Sequence, residues 1–263
     1  MLAIVFPTIN PIFLSIGSVE IRWYGIAYAV SIISCYLLLK RLYPKTQENT
    51  RLLDDIMFFC AIGMISGGRI GYVLFYHTEW LWRDSMRILQ IWLGGMSFHG
   101  GLIGVVLAVY LASLKHHRSF LHNCDNLAYV TPIGLFFGRI ANFINGELWG
   151  RVTDVPWAII LADGSVRHPS QLYEAVMEGI VLLIIMIVCH KKLIDKPGAM
   201  SGLFLICYGL FRMIIENFRE PDEHVGLCFG FITRGQILSA PMMLLGVYLL
   251  LVRASITNTN ARY

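Results

Sequence analysis

Long apolar segments separated by short polar loops recur along the whole chain. A transmembrane helix needs about 20 consecutive, mostly apolar residues. Seven segments have this character, at roughly 22–40, 55–76, 97–114, 125–145, 171–190, 199–218 and 231–252. No internal repeat or separate soluble stretch interrupts the series. The pattern predicts an all-α fold, a polytopic membrane helix bundle of about seven transmembrane helices. We expect residues 1–263 to form a single integral membrane domain.

The composition supports a membrane protein and argues against a nucleic-acid-binding one. Hydrophobic residues make up 56% of the chain and charged residues 14%, whereas a soluble domain carries about 25% charged residues. The net charge of +4 arises from Lys and Arg beside the spans and not from one long basic face. We therefore expect no nucleic-acid partner.

The basic residues of the short loops predict the orientation of the bundle, because cytoplasmic loops are enriched in Lys and Arg. All six lysines fall on one side of the predicted spans, at Lys40, Lys45, Lys115, Lys191, Lys192 and Lys196. This assignment places the N-terminus outside and the C-terminus in the cytoplasm. Met1 to Phe13 has no Lys or Arg before its apolar residues, so we do not expect a cleaved signal peptide there.

Tryptophans cluster at the outer ends of the predicted spans, especially in residues 77–96. Trp favours the membrane–water interface. This segment is either an interfacial helix or a plain loop anchored by aromatic residues. The residues expected to touch lipid are Trp80, Trp82, Met86, Ile88, Leu89, Ile91 and Trp92.

Residues 138–151, GRIANFINGELWGR, place an arginine, two asparagines and a glutamate at the end of an apolar span. A charged side chain at the bilayer centre costs at least about 2.5–3.5 kcal/mol, so an intramembrane arginine indicates function. Glu147 is eight residues beyond Arg139, too far along the chain to be its local partner. Arg139 is therefore a candidate for binding an anion.

The count of charges extends this interpretation. Arg212 and Glu216 stand four apart on one helix face, with Tyr208 one turn earlier. A self-neutralising ion pair is an equally weighted alternative for these two residues. With Arg69 included, three arginines compete for two acids, and the surplus predicts an anionic ligand. Arg presents a planar fork that matches phosphate.

His99 lies at the outer mouth of the third span, in the glycine-rich segment GGMSFHGG. Histidine titrates near neutral pH and is suited to accept a proton from a thiol of pKa about 8.5. A structural histidine is the alternative. The six cysteines contain no CxxC pair, and the chain has no HExxH, GxSxG or P-loop. We expect no metal and no cofactor.

The central segment resembles the bacterial prolipoprotein diacylglyceryl transferases. Their signature is G-R-x-G-N-F-x-N, followed by a glutamate and a glycine. The chain departs from it at Ala141, where the family usually has glycine. Matches occur at Gly138, Arg139, Asn142, Phe143, Asn145, Glu147 and Gly150. Further similar segments follow in the family's order: 22–25 RWYG, 67–72 GGRIGY, 98–101 FHGG, 168–174 HPSQLYE, 208–212 YGLFR, 219–222 REPD and 235–241 GQILSAP.

The resemblance implies a transferase of the bacterial plasma (inner) membrane, multi-pass, with its active site toward the outer face. The expected partners are phosphatidylglycerol, preprolipoprotein signal peptides bearing a lipobox cysteine, and membrane lipids. The implied reaction moves the diacylglyceryl group to the cysteine thiol, forms a thioether and releases glycerol 1-phosphate. It is the first step of lipoprotein maturation.

The resemblance and the polar residues together indicate the site. His99, Arg139 and Arg212 are the expected catalytic residues. Phosphatidylglycerol is expected to bind at Arg139, Arg212, Tyr24, Tyr76, Asn142 and Tyr208, with Asn145, Glu147, Gly150 and Glu216 in support. Asn142 and Glu147 are expected to hold the arginines in place.

Two other function classes compete with this interpretation. A transporter or channel would line an anion path with arginines, and it predicts charges in both membrane halves and often paired repeats. The polar groups here crowd the predicted outer half. A different lipid-modifying acyltransferase would usually place an acidic residue beside its histidine, and His99 has none nearby in sequence.

Overall fold

The computed structural model describes residues 4–220, apart from 8 and 18, and residues 233–260. Side chains are described for these residues except 19, 93, 234 and 252–260. Several parts of the sequence interpretation lie outside the described residues: residues 1–3 and 8 of the N-terminal segment, Pro221 and Asp222 of the REPD motif, Cys228, and residues 231 and 232 of the seventh span. The chain forms two compact units, Met1–Leu37 with Asp125–Tyr263, and Leu38–Cys124.

Helices dominate the described residues and coincide with all seven predicted apolar segments. In chain order the elements are β1 Ile4–Val5, β2 Ile12–Ile16, β3 Val19–Arg22, α1 Trp23–Leu42, α2 Gln47–Tyr76, α3 Trp80–Arg83, α4 Met86–Leu89, a 3₁₀ turn Ile91–Leu93, α5 Phe98–Lys115, α6 Phe120–Ile144, β4 Ile159–Ile160, β5 Val166–Arg167, α7 Ser170–Glu174, a π-helix Ala175–Val181, α8 Leu182–Leu193, α9 Ala199–Ile215 and α10 Arg234–Asn260.

Five of these helical segments are long and apolar enough to cross a membrane: Trp23–Leu42, Gln47–Tyr76, Phe98–Lys115, Phe120–Ile144 and Ser170–Leu193. Two shorter apolar helices follow, Ala199–Ile215 and Gly235–Leu251. Apolar side chains along these helices remain exposed, as expected where lipid is the solvent. The prediction of a mostly helical, multi-pass membrane protein is confirmed.

The purely helical prediction is wrong in one respect, because short strands lie before α1 and between α6 and α7. β2 and β3 form an antiparallel hairpin in which Ile16 pairs with Val19. β1 pairs in parallel with β4, and β4 pairs antiparallel with β5. These strands have two to five residues, too few to produce a recognisable alternation along the sequence.

Within Leu38–Cys124, α2 and α5 pack backbone against backbone through glycines spaced four apart. A Cβ added to Gly63 would lie 2.4 Å from the carbonyl oxygen of Gly104, and one on Gly67 would lie 2.4 Å from that of Gly100. Small residues at this spacing let membrane helices approach closely. Any larger side chain would separate the two helices.

The segment between α2 and α5 is neither one interfacial helix nor a plain loop. It consists of α3, α4 and the 3₁₀ turn, each a single turn long. Trp82 and Trp92 are 73% and 74% exposed. Trp80 and Ile88 are half-buried, and the contact of this segment with lipid stays a prediction.

In the unit that contains residues 125–263, close contacts also fix the helices beside the candidate site. A Cβ on Gly202 of α9 would lie 2.7 Å from the carbonyl oxygen of Gly246 on α10. The start of α9 is capped by Asp125 of α6, which accepts hydrogen bonds from the backbone nitrogens of Gly198 and Ser201 at 2.6 and 2.7 Å. Such caps satisfy the free N–H groups of a helix terminus.

Candidate active site

Arg139 projects from α6 toward two fully buried carboxylates. Its Nε lies 2.8 Å from Oε2 of Glu174, and its Nη2 lies 3.5 Å from Oε2 of Glu178. Both glutamate side chains are 0% exposed, and the arginine side chain is 18% exposed. Glu174 and Glu178 are therefore the partners that Arg139 lacked in the sequence interpretation.

Glu174 contacts three arginines at once. Besides Arg139, its Oε1 lies 2.8 Å from Nη1 of Arg212 and accepts a hydrogen bond from Nη1 of Arg219. A buried carboxylate is stable only when it is well paired. Glu174 thus fixes the positions of three guanidinium groups that come from two different parts of the chain.

Glu216 completes the cluster at the end of α9. Its Oε2 lies 3.1 Å from Nη2 of Arg212 and 3.6 Å from Nε of Arg219. The first turn of α10 passes close by, since a Cβ on Gly235 would lie 2.7 Å from the Glu216 carboxylate. The ion pair expected between Arg212 and Glu216 is present, although it is part of a larger network.

The π-helix explains how the two glutamates reach this position. Glu174 is the last residue of α7, and Glu178 lies inside the π-helix. A Cβ on Gly179 would lie 2.7 Å from Cβ of Phe136, one turn before Arg139 on α6. The wide turn thus packs directly on α6 and directs its carboxylates at the arginine. Single π turns are frequently found at functional sites.

A second set of polar side chains surrounds Asn142, which lies one turn beyond Arg139. Nδ2 of Asn142 donates to Oε1 of Glu147 at 2.8 Å and to the Tyr24 hydroxyl at 3.4 Å. Glu147 was expected to hold an arginine, but the described hydrogen bond of its carboxylate is to Asn142. The turn that brings Glu147 back contains Gly146 at φ +68°, a left-handed conformation that local sequence spacing did not reveal.

Gly150 supports the arginines through backbone contacts. It pairs antiparallel with Arg219, and its N–H donates to the carbonyl of His168 at 2.9 Å. A Cβ there would lie 2.4 Å from the carbonyl oxygen of Phe218. Next to it, Nε of Arg151 donates to the Arg219 carbonyl at 2.8 Å. Only glycine fits between these backbone segments, whose pairing places Arg219 beside Glu174.

This arrangement is suited to bind an anion. We call it the arginine–glutamate cluster: Arg139, Arg212, Arg219, Glu174, Glu178 and Glu216. The guanidinium groups are pre-oriented and shielded from water, where charge interactions are stronger than in bulk solvent. A phosphodiester, like a carboxylate, presents two oxygens that share one negative charge, so it can compete for the same N–H groups.

Comparison with known proteins agrees with this chemistry. The family model described as Prolipoprotein diacylglyceryl transferase matches residues 11–252. The chain is 46% identical over 263 residues to a protein of Shewanella sp. (strain ANA-3), covering 95% of this chain and 98% of the relative. It is 48% identical over 252 residues to one of Rickettsia bellii (strain OSU 85-389), covering 94% and 96%. Both relatives are named phosphatidylglycerol–prolipoprotein diacylglyceryl transferase.

The chain belongs to the prolipoprotein diacylglyceryl transferase family.

Most residues predicted for the transferase site lie in one unit, around α6 and α9. Arg139, Arg212 and Glu216 belong to the arginine–glutamate cluster. Tyr24 and Tyr208 lie close enough to interact with the charge of Arg139. The Tyr208 ring also stacks on Phe204, with ring centroids 5.7 Å apart.

Asn145 and Ala141 lie at the end of α6. The backbone N–H of Asn145 donates to the Ala141 carbonyl at 2.9 Å. Its side-chain Oδ1 is buried and has no hydrogen-bond partner in the part of the transferase that the structure describes. Ala141, the departure from the family signature, is 1% exposed, so its methyl group is fully packed.

Two predicted site residues lie in the other unit, Leu38–Cys124. His99 is the second residue of α5, after the N-cap Ser97, and it is exposed. Tyr76 ends α2, is 69% exposed, and its ring centroid lies 5.5 Å from that of Tyr72. The proposed roles of His99 and Tyr76 stay predictions.

Arg69 is not one of the arginines of the candidate anion site, although the sequence interpretation counted it among them. It is only 3% exposed and donates to the carbonyl of Ile88 at 3.0 Å and that of Arg87 at 2.6 Å. It also donates to three further carbonyls, those of Gln90, Gly94 and Gly95. Arg69 therefore holds the segment between α2 and α5 in place.

The sequence interpretation missed Glu174, Glu178 and Arg219 as members of the site. Glu174 and Glu178 stand four apart inside the apolar fifth span. Acidic residues within a span indicate a functional site by the same rule as Arg139. That rule would have identified both glutamates, and the charge count of three arginines to two acids is therefore wrong.

Proposed function

We propose that this protein transfers the diacylglyceryl group of phosphatidylglycerol to the lipobox cysteine thiol of prolipoproteins, the first step of lipoprotein maturation. The names of its relatives supply the donor and the acceptor. The observation that carries the proposal is the arginine–glutamate cluster, which gathers three guanidinium groups at buried carboxylates of one helix.

The reaction needs stabilisation of a departing phosphate. The cysteine sulfur, after losing its proton, attacks the glycerol carbon that carries the phosphodiester oxygen. The C–O bond breaks, its electron pair stays on that oxygen, and a thioether forms while glycerol 1-phosphate leaves. The phosphate changes from a diester with one negative charge to a monoester with two. Fixed positive charges therefore bind the transition state more tightly than the substrate.

The proposed roles follow from the chemistry of each side chain, and those of Arg139 and Arg212 are also supported by their membership of the arginine–glutamate cluster. Arg139 and Arg212 hold the phosphate through their planar forks. Asn142, Tyr24, Tyr76 and Tyr208 orient the headgroup. His99 accepts the thiol proton. Support comes from Asn145, Glu147, Gly150 and Glu216, through the turn after α6 and the ion pair with Arg212.

We further propose that the chain is one integral membrane domain that crosses the bacterial inner membrane seven times. The five long and two shorter apolar helices support this count. The six lysines on one side of the spans support an outside N-terminus and a cytoplasmic C-terminus. The active site then faces the outer side, where the cysteine of an exported preprotein arrives.

A direct transfer assay tests the proposal. Purified protein is mixed with phosphatidylglycerol and a lipobox peptide, and mass spectrometry follows the peptide. We expect a diacylglyceryl adduct on cysteine and none on a matched Cys→Ser peptide. Absence of the adduct, together with passage of glycerol phosphate across vesicles that contain the protein, would favour the transporter instead.

A further inference from the structure

The arginine–glutamate cluster is balanced in charge before any lipid binds. Three guanidinium groups face three carboxylates, so the formal charges sum to zero. A phosphodiester brings one more negative charge into this shielded space. An uncompensated buried charge is strongly unfavourable. Binding of the phosphate must therefore be accompanied by neutralisation of one negative charge.

The three carboxylates differ in how firmly they are held. Glu174 has two ion-pair contacts at 2.8 Å and a third with Arg219. Glu216 has one at 3.1 Å. Glu178 has only longer contacts, at 3.5 Å to Arg139 and 3.9 Å to Arg212. One carboxylate oxygen of each of the three glutamates has no hydrogen-bond partner among the described residues, so the length of the ion-pair contacts is what distinguishes Glu178.

Charged and titratable groups face Glu178 from each helix packed against it. Arg139 approaches from α6, and Arg212 and Tyr208 approach from α9. Arg219 acts from the segment after α9, and Glu174 is the like charge on the same helical segment. A phosphate that takes N–H groups of Arg139 and Arg212 removes the two direct ion-pair partners of Glu178 and places a second anion beside it.

We propose that Glu178 takes up one proton when the lipid phosphate binds, and that this exchange frees Arg139 and Arg212 for the phosphate. The proposal rests on the function proposed above. The proton comes from solvent, the carboxylate becomes a neutral acid, and no other covalent bond changes. Glu178 acts through the arginines and is a positioning residue.

Proton uptake on binding is measured by calorimetry. A short-chain phosphatidylglycerol is titrated into the purified full-length protein at one pH, in several buffers that differ in ionisation enthalpy and without peptide. The dependence of the observed heat on buffer gives the number of protons taken up. We expect close to one for the unchanged protein and close to none for Glu178→Gln. The matched control Glu220→Gln, whose carboxylate is paired with Arg167 at 3.2 Å and 46% exposed, keeps the uptake.

A value near zero for the unchanged protein overturns the proposal, as does an uptake that persists in Glu178→Gln. Infrared difference spectroscopy gives a second measurement should that variant fold poorly. Addition of the lipid is expected to produce a carboxylic-acid carbonyl band, which shifts in Glu178→Asp. An unshifted band overturns the assignment to Glu178. The transfer assay separates the two proposals, because a protein that transfers without proton uptake refutes only this inference.

Discussion

Two buried arginine sites in this protein are held by different kinds of oxygen. Arg69 donates to five backbone carbonyls between residues 87 and 95. Arg139 and Arg212 face carboxylates, chiefly that of Glu174. Both sites are shielded from water, and sequence position alone made all three arginines candidates for one role.

The difference teaches what a buried arginine is used for. Backbone carbonyls are neutral and belong to the loop they fix, so an anion that displaced them would dismantle the loop. A carboxylate carries a negative charge. A phosphate can take its place beside the arginine, and protonation can neutralise it. Arg69 therefore holds its own loop in place, whereas the arginine–glutamate cluster has the charged groups that the proposed ligand exchange requires.

The largest effect is expected at Arg139. We expect Arg139→Ala to lower transfer activity by about 100-fold or more, the scale for removal of a group that stabilises developing negative charge. Arg139→Lys should fail as well, because ammonium lacks the planar fork. Activity in the mass-spectrometric assay, together with thermal unfolding, checks this. The control is Arg118→Ala, whose side chain is 44% exposed. Full activity in Arg139→Ala would show that Arg139 has no part in the transfer reaction.

Arg69 is expected to affect stability instead. Arg69→Ala removes one donor from each of five carbonyls. We expect the free energy of unfolding to fall by about 3 kcal/mol, since hydrogen bonds to charged groups contribute about 1.5–3 kcal/mol each and do not add fully. Denaturation in detergent measures this loss. A variant with normal stability but weakened phosphatidylglycerol binding would show that Arg69 also binds the lipid.

A substitution at Gly235 tests whether the position of Glu216 in the arginine–glutamate cluster matters, without changing any charged residue. An alanine there would bring its Cβ within 2.7 Å of the Glu216 carboxylate and push it from Arg212. Because a side chain can move, we expect only about a tenfold loss of activity, equivalent to about 1.4 kcal/mol. Gly134→Ala is the control, since its added Cβ meets nothing within 4 Å. Equal activity of the two variants would mean that the position of Glu216 does not matter.

The smallest effect concerns pH and stability. Burial lowers the pKa of His168 below its ordinary value of 6.5. The imidazole of His168 therefore binds a proton more readily in the unfolded chain than in the folded protein. The folded state is fully stable with respect to this group above about pH 6.5, and it loses stability as the pH falls through the pKa that His168 has in the folded protein. Between pH 7 and pH 5, the melting temperature of His168→Gln should fall less than that of the unchanged protein. The control His117→Asn, at an exposed position, should lose as much as the unchanged protein. An unchanged pH profile in His168→Gln contradicts this.

Much of the fold was predictable because membrane helices have a strong sequence signal. Each predicted span contains a helix, and the largest differences at the ends are eight residues, at α2, which begins at Gln47 instead of 55, and at α10, which ends at Asn260 instead of 252. Hydropathy does not register such extensions, because residues 47–54 are largely polar. The short strands and the single-turn helices depend on tertiary contacts and were not predictable.

The members of the candidate site were predictable from the sequence, the two glutamates of the fifth span included, but their pairing was not. Arg139 and Arg212 stand out because charges are rare in apolar segments. Their pairing with Glu174 depends on how α6, the π-helix and α9 pack, and no local spacing encodes that. The turn that returns Glu147 to Asn142 likewise depends on the left-handed conformation of Gly146.

The π-helix Ala175–Val181 makes the register of the site sensitive to chain length. Its i→i+5 bonds each enclose one more residue than the i→i+4 bonds of an α-helix. Deleting one residue between Glu174 and Glu178 would let the segment adopt α geometry and would shorten the interval between the two glutamates from four residues to three. All residue types needed for the reaction would remain, yet the two glutamates would no longer face the same arginines. In this segment, related sequences are therefore expected to tolerate substitutions more readily than changes in length.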